Sequence, residues 1–268
     1  KEGLVRGCSC RGTAGFAHVS CLAEQAKILV AEAEDNNLGN KVYERFARWH
    51  TCSLCEQDYH GVVFCALGWA CWKTYLGRPE ADEVRTMAMG VLGSGLSTAH
   101  RHEDALVVKE AELSMKRRLG AAEASILVAQ SNLANTYAQL GQREKALGLR
   151  RDVYVGRLKF DGEEHRETLI AAYNYTSSLK GLQRLKEAKV LLRKTITVAG
   201  RVLGESDAYT LRLRWLYANC LRDYKKATLD DVAEAVETLE SIAPLWKRTM
   251  GMQHPETANV LTAVKAAR

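Results

Sequence analysis

Three close pairs of metal-ligating residues fall within the first 55 positions: Cys8 with Cys10, His18 with Cys21, and Cys52 with Cys55. Zinc takes four soft or borderline ligands in a tetrahedron, and a close Cys or Cys/His pair supplies two of them from one turn of chain. Free cysteines also pack well in apolar cores, but core thiols have no reason to arrive in spaced pairs. A chain built this way is expected to fold its N-terminal region around metal rather than around a large apolar core. The other three cysteines fall outside the pattern. Cys65 and Cys71 are six residues apart on an expected helix and so do not share a face, and Cys220 stands alone.

The order of the pairs and the residues between them resemble the RING-CH finger, the variant RING of a family of ubiquitin ligases. Cys10, Gly12 and Thr13 match its C-x-G-[S/T], Phe16 and His18 its aromatic-x-H, and Cys21 and Leu22 its C-L. The resemblance implies a cross-brace with two zinc ions. Cys8, Cys10, Cys52 and Cys55 make one complete site, and His18 and Cys21 make half of the other. The remaining C-x-x-C is then expected upstream of Lys1, in keeping with a chain that lacks an initiating Met. The finger is expected over 1–60, with a helical insert at 22–48 in which Leu22 to Glu34 and Val42 to Trp49 form helices and Trp49 packs on the zinc core. Two positions depart from the family. Gln25 stands where a Trp usually contributes to the shelf for a ubiquitin-conjugating enzyme, and Glu56 where a basic residue often follows the last ligand.

Beyond the finger, an apolar stretch from Val62 is expected to form a linker helix within 61–78, closed by Gly77 and Pro79. It contains Gly68 and Lys73 and is too short to span a bilayer. From 79 to 268 the chain repeats. Gly120, Gly162 and Gly204 recur every 42 residues and Gly251 follows after 47; Ala105, Ala146, Ala188 and Ala235 mark the second helix of each unit, and Thr168, Thr210 and Thr257 the start of the first. Such periods mean stacked helix pairs, each too small to bury its apolar face alone. Helices are expected at 80–98, 102–119, 122–140, 143–160, 164–182, 185–203, 207–223 and 229–250. The fold class is therefore mostly α, a small RING-like zinc domain followed by an α-solenoid.

The repeats resemble tetratricopeptide repeats in the 42-residue form of kinesin light chains. Asn132, Leu133, Ala134 and Tyr137 match N-L-A-x-x-Y; Gly141, Lys145, Ala146 and Leu147 fall in its G-x-x-x-E-A-L region; His165 with Thr168, and His254 to Thr257, match its junction. About four repeats and the start of a fifth are expected. The first is degenerate, with Gly90, Gly93 and Gly95 in place of Asn-Leu-Ala, and five extra residues around Lys225 to Asp231 lengthen the fourth. The resemblance implies a peptide-binding groove lined by Ser131, Asn135 and Gln139, by Tyr173, Ser177 and Lys180, and by Arg212, Trp215, Asn219 and Arg222. An Asn in such a row holds a peptide backbone through both its donor and its acceptor, and Arg beside an exposed Trp favours an acidic or aromatic peptide.

Composition narrows the function classes. The chain is 47% hydrophobic and 26% charged, as in a soluble globular protein. Its net charge of +6, read as spread along the chain without a run of five like charges, allows acidic partners and argues against a nucleic-acid arm. No phosphate loop, nucleophile elbow or H-E-x-x-H is present, and Glu163, Glu164 and His165 read as capping residues at a helix junction. Thiolate metal sites suit a reducing interior, so a cytoplasmic protein is expected. The readings left open are an adaptor binding protein partners, in one version a ubiquitin ligase that recruits a conjugating enzyme, or a non-enzymatic scaffold or kinesin-light-chain-like cargo adaptor with a purely structural finger.

Overall fold

The structure, a computed structural model, describes residues 2–252 and 255–267; His254 of the last junction motif lies outside them. The chain divides into two compact units, Lys1–Leu140 and Gly141–Arg268. The first holds α1 (Val19–Asp35), α2 (Lys41–Phe46) with a single 3-10 turn at Ala47–Trp49, α3 (Gly61–Tyr75), α4 (Glu83–Thr98), α5 (His102–Arg118) and α6 (Glu123–Gln139). The second holds α7 (Arg143–Phe160), α8 (Arg166–Gly181), α9 (Leu185–Leu203), α10 (Ala208–Arg222), α11 (Leu229–Met250) and α12 (Pro255–Ala267). All eight helices expected between 80 and 250 are present, each end within three residues of its expected position. Among the described residues the only strand pairing is two isolated antiparallel bridges, Val5 with Ala17 and Thr51 with Asp58. No described helix is long and apolar enough to cross a membrane.

Recurring glycines end the helices for a conformational reason. Gly120, Gly162, Gly204 and Gly251 all have φ between 64° and 91°, the left-handed region that only Gly enters without strain.

In the first unit, α3 is a packing element. An added Cβ at Gly68 of α3 would lie 3.1 Å from the Leu92 Cα, and one at Gly95 of α4 would lie 2.8 Å from the Phe64 carbonyl oxygen. The two backbones touch at both glycines, so α3 serves as the partner that the first repeat helix needs. This is also why the first repeat loses its Asn-Leu-Ala motif. Gly95 brings α4 onto α3, and Gly93 leaves room for the stem of Lys109, whose Cγ would be 3.1 Å from an added Cβ. Lys109 is buried, and its ammonium donates to Ser97 Oγ at 2.7 Å and Thr136 Oγ1 at 2.9 Å. Burial pulls its pKa down to about 8, while Glu112 opposes the shift.

One apolar cluster runs from the cysteines into the first repeat: Cys8, Cys52, Phe46, Trp49 and Tyr59 pack with Val63, Leu67, Cys71 and Tyr75 of α3 and with Val84, Ala88 and Val91 of α4. Trp49 is fully buried, donates from Nε1 to the Tyr75 hydroxyl at 3.3 Å and meets that ring edge-on at 5.9 Å. Arg78 closes the corner. It forms a two-pronged ion pair with Glu34 at the end of α1, at 2.6 and 2.7 Å, and lies 4.8 Å from the Tyr75 ring.

In the second unit, successive repeats are joined by pairs 41 to 44 residues apart: Arg166–Asp207 at 3.0 Å, Lys180–Asp223 at 2.9 Å, Lys189–Asp231 at 2.6 Å, Arg193–Glu234 at 3.2 Å and Arg212–Glu256 at 3.1 Å. The extra residues of the fourth repeat build a capping box, in which Thr228 Oγ1 accepts from Asp231 N and Asp231 accepts from Thr228 N.

Candidate metal centre and partner face

Two loops carry the four cysteines. In the first, Val5 and Ala17 exchange backbone hydrogen bonds at 2.9 and 3.0 Å, folding the segment back so that Cys8 and Cys10 lie in its bend. In the second, Cys52 N donates to Gln57 O at 2.9 Å, Glu56 N to Cys52 O at 3.1 Å and Tyr59 N to His50 O at 2.7 Å. A backbone hydrogen bond from His60 N to Gly7 O at 2.8 Å joins the loops.

The sulfurs of Cys8, Cys10, Cys52 and Cys55 all lie within 4.8 Å of one another, with Cys10 Sγ and Cys52 Sγ 3.8 Å apart. A zinc–sulfur bond of about 2.3 Å gives a tetrahedron with edges of about 3.8 Å, so the donor set fits one tetrahedral metal ion. Cys8 and Cys52 are buried, while Cys10 and Cys55 are partly exposed. Burial opposes ionisation of Cys52, but the Cys55 and Leu54 N–H groups and the neighbouring thiols outweigh it and bring its pKa to about 7. Burial and the surrounding thiols push Cys10 up to about 12. The backbone thus favours the thiolate at Cys52, and a divalent cation would offset the cost of burial that opposes ionisation of Cys8 and Cys10.

Two glycines missed in the sequence complete this site. Gly15 has φ of 78°, and an added Cβ would lie 2.6 Å from Cys10 Cβ and 3.0 Å from the sulfurs of both Cys8 and Cys10. Gly7 faces Val63 so closely that an added Cβ would come within 2.4 Å of the Val63 Cβ. Their signal in the sequence is only that each lies within a few residues of a ligand.

The second pair is also brought together. His18 is the N-cap residue of α1, Cys21 lies in its first turn, and His18 Nδ1 is 3.7 Å from Cys21 Sγ. Among the described residues no third Cys, His or carboxylate joins them. Gln25 and Glu56 are both exposed.

The expected partner residues are placed unequally. On α6, Asn135 and Gln139 are exposed and Ser131 is half-buried. On α8, Tyr173, Ser177 and Lys180 are all partly exposed. Tyr173 meets Tyr209 edge-on at 6.2 Å, and Lys180 is paired with Asp223. On α10, Arg212 pairs with Glu256 and lies 5.3 Å from the Tyr209 ring, and Arg222 is exposed beside Asp223 at 3.3 Å. Trp215, expected to be exposed, is half-buried against the core, edge-on to Trp246 at 6.2 Å, with its indole N–H buried and without an acceptor among the described residues. Asn219 is 6% exposed, and its amide donates to the Trp215 carbonyl at 2.9 Å rather than facing outward. For Trp215 the reason is α11, which packs on α10 and brings Trp246 against it. Tyr209 and Arg166, 5.5 Å apart as a cation–π pair, extend the Tyr173–Arg212 cluster and carried no motif of their own.

No family model matches the chain, and no curated protein matches it. Solved structures do. The chain is similar to a repeat protein from Podosopora anserina described as kinesin-light-chain-like with nearly identical TPR-like repeats, at 18% identity, 87% of this chain, 98% of that chain and a TM-score of 0.58. It is similar to the apo form of RapI at 13% identity, covering 92% of this chain and 84% of that one with a TM-score of 0.55. It is also similar to a Rap protein complexed with competence and sporulation factor, at 15% identity, 92% of this chain, 66% of that one and a TM-score of 0.52. At these identities the likeness is one of fold: TPR-like helix pairs of the kinesin-light-chain kind.

Proposed function

We propose that this protein is an intracellular adaptor that holds a zinc ion on Cys8, Cys10, Cys52 and Cys55 and binds a protein or peptide partner along its repeat helices. The observation that carries the binding reading is the Tyr173–Tyr209–Arg212 cluster. Two aromatic rings in edge-on contact, one of them under a guanidinium, sit on helices of successive repeats, a combination that dominates binding energy at many interfaces. An acidic group on the partner would compete with Glu256 for Arg212. The Rap structure, bound to competence and sporulation factor, has the same kind of helix pairs and is in keeping with this use of the fold. The zinc has a structural role in this reading, since its ligands share a core with α3 and α4.

The test is selection of acidic peptides against the full chain, followed by titration of the best binder with Arg212→Ala and Asn135→Ala. Loss of binding in Arg212→Ala with unchanged melting supports the reading; unchanged binding in both variants refutes it.

A second reading, a RING-type ligase whose repeats choose substrate, is favoured by exposed apolar side chains on the finger, Leu54 at 68% and Phe16 at 49%. A zinc ion on His18, Cys21 and two further ligands would complete the shelf in that reading, while Gln25 and Glu56 weigh against it. Zinc-dependent ubiquitin chains formed with a panel of conjugating enzymes would establish it, and their absence would leave the scaffold.

A further inference from the structure

The positive charge of this chain is not evenly spread. Residues 141–200 hold thirteen Lys and Arg against seven Asp and Glu, a net +6 that equals the excess of the entire chain. Within that segment, α8 and α9 enclose an open cleft of about 520 Å³. Its walls are Tyr175 and Leu179 of α8, one turn apart, and Val190 and Leu191 of α9, with Lys186 and Lys194 at its two ends; Glu187 also lines it, its carboxylate held by Arg184 at 2.7 Å. Tyr154 stacks on Tyr175 at 6.1 Å with planes 21° apart, which fixes that wall. Val190 is 75% exposed, a large β-branched side chain left open in mid-helix.

This surface is distinct from the Tyr173–Arg212 face. Tyr175 is two residues from Tyr173 on the same helix and so points about 200° away from it.

Lys186, Val190 and Lys194 are spaced by four, so they form one stripe along α9, with the two cations about 12 Å apart along the axis. An extended peptide advances about 3.3 Å per residue and turns alternate side chains to the same side. Residues 1, 3 and 5 of such a peptide therefore face one way and span about 13 Å. We infer that this cleft docks an extended segment of the form acidic-x-apolar-x-acidic, its carboxylates on Lys186 and Lys194 and its apolar side chain between Val190, Leu179 and Tyr175. The present partner of Lys194, Glu163 at 2.7 Å, belongs to a pair more than 40% exposed on both sides. Such pairs contribute little, so a ligand carboxylate can take its place. Lys186 has no carboxylate partner among the described residues and lies 5.9 Å from the Tyr224 ring. The apolar walls favour a peptide over a nucleic-acid backbone, which offers no side chain to fill them.

The probe is fluorescein-labelled Gly-Glu-Ser-Leu-Ser-Glu-Gly, titrated by anisotropy against the full chain. Controls are the peptide with Leu replaced by Ala, the peptide with Glu and Leu moved to adjacent positions, and a twelve-nucleotide oligothymidine. Binding should weaken about tenfold with the Ala or scrambled peptide, and by a similar factor in Val190→Glu and in Lys186→Glu, the scale of a moderate interface residue. Both substituted side chains are at the surface, so unchanged helicity and melting are expected and are checked first. Arg212→Ala should leave this binding as it is, which separates the cleft from the face proposed above. No measurable binding, equal binding of the scrambled peptide, loss in Arg212→Ala instead of Val190→Glu, or displacement by the oligonucleotide would each overturn the inference.

Discussion

Gly15 offers a sharp test of the metal centre because a second glycine in the same loop serves as its control. Both Gly12 and Gly15 have positive φ, 64° and 78°, but an added Cβ meets nothing within 4 Å at Gly12 and meets Cys10 Cβ at 2.6 Å and two ligand sulfurs at 3.0 Å at Gly15. Gly12→Ala should therefore cost only the left-handed backbone term, about 1 kcal/mol. Gly15→Ala adds overpacking, about 1–3 kcal/mol more. The displaced atoms are Cys8 Sγ and Cys10 Sγ, and a metal site tolerates changes of only about 0.2 Å in bond length. The extra cost should therefore fall on metal binding. At about 1.4 kcal/mol per decade, zinc affinity should drop a further five- to 150-fold, roughly, relative to Gly12→Ala. Competition against a chromogenic chelator measures both constants on the full chain. Equal affinities for the two variants would refute the idea that Gly15 shapes the thiol cluster.

Three further outcomes follow from the first unit. Gly95→Ala should destabilise by about 1–3 kcal/mol, because its Cβ strikes the α3 backbone, whereas Gly90→Ala should gain up to about 1 kcal/mol of helix propensity, since its Cβ reaches only Glu112 Oε1 at 3.5 Å; urea midpoints of the two variants decide it. Lys109 is held near a pKa of about 8 by burial, below its unfolded value. The unfolded chain therefore binds more protons above pH 8, and stability should rise with pH from about 8 to the unfolded pKa of about 10.4. The difference in unfolding free energy between wild type and Lys109→Met across that range isolates the effect, and a flat difference refutes it. Removing metal with a chelator, or Cys52→Ser, should lower helicity and also expose the Trp49–Tyr75 contact to solvent; tryptophan emission that stays buried-like after metal loss would show that the core does not depend on the site.

The helical part of the fold was legible because its signals are local. Glycines that end helices must adopt positive φ wherever the chain turns, so Gly120, Gly162, Gly204 and Gly251 kept their period. The cysteine pairs were legible for a similar reason, since two ligands from one turn leave a fixed spacing. What the sequence hid was tertiary. Trp215 and Asn219 occupy positions that read as outward-facing, but Trp215 packs on Trp246 of α11 and Asn219 is buried, and nothing local to α10 announces which face later packing will take. Arg166 and Tyr173 acquire their place beside Tyr209 only when α8 and α10 stack. The clustering of charge at 141–200 leaves no long run of like charges in the sequence, because its cations are interspersed with apolar residues at helical spacing.

The finger-like region and the repeats meet in a way that bears on how metal can matter. A zinc finger joined by a free linker would report metal loss only within itself, because its binding energy is its own folding energy. Here α3 stands between the cysteines and the first repeat and packs on both. Cys8 and Cys52 share a cluster with Trp49, Tyr75 and the α4 residues Val84, Ala88 and Val91. The polar layer repeats the connection, since Arg78 holds Glu34 of α1 while its backbone carbonyl accepts from Arg85 of α4 at 2.6 Å. Loosening the thiol loops therefore frees one side of the core on which α4 rests, and α4 has little of its own to fall back on, with Gly90, Gly93 and Gly95 along it. The first repeat is then the part of the solenoid whose stability should follow metal occupancy, with protection of the α4 amides against hydrogen exchange as the quantity that links the two.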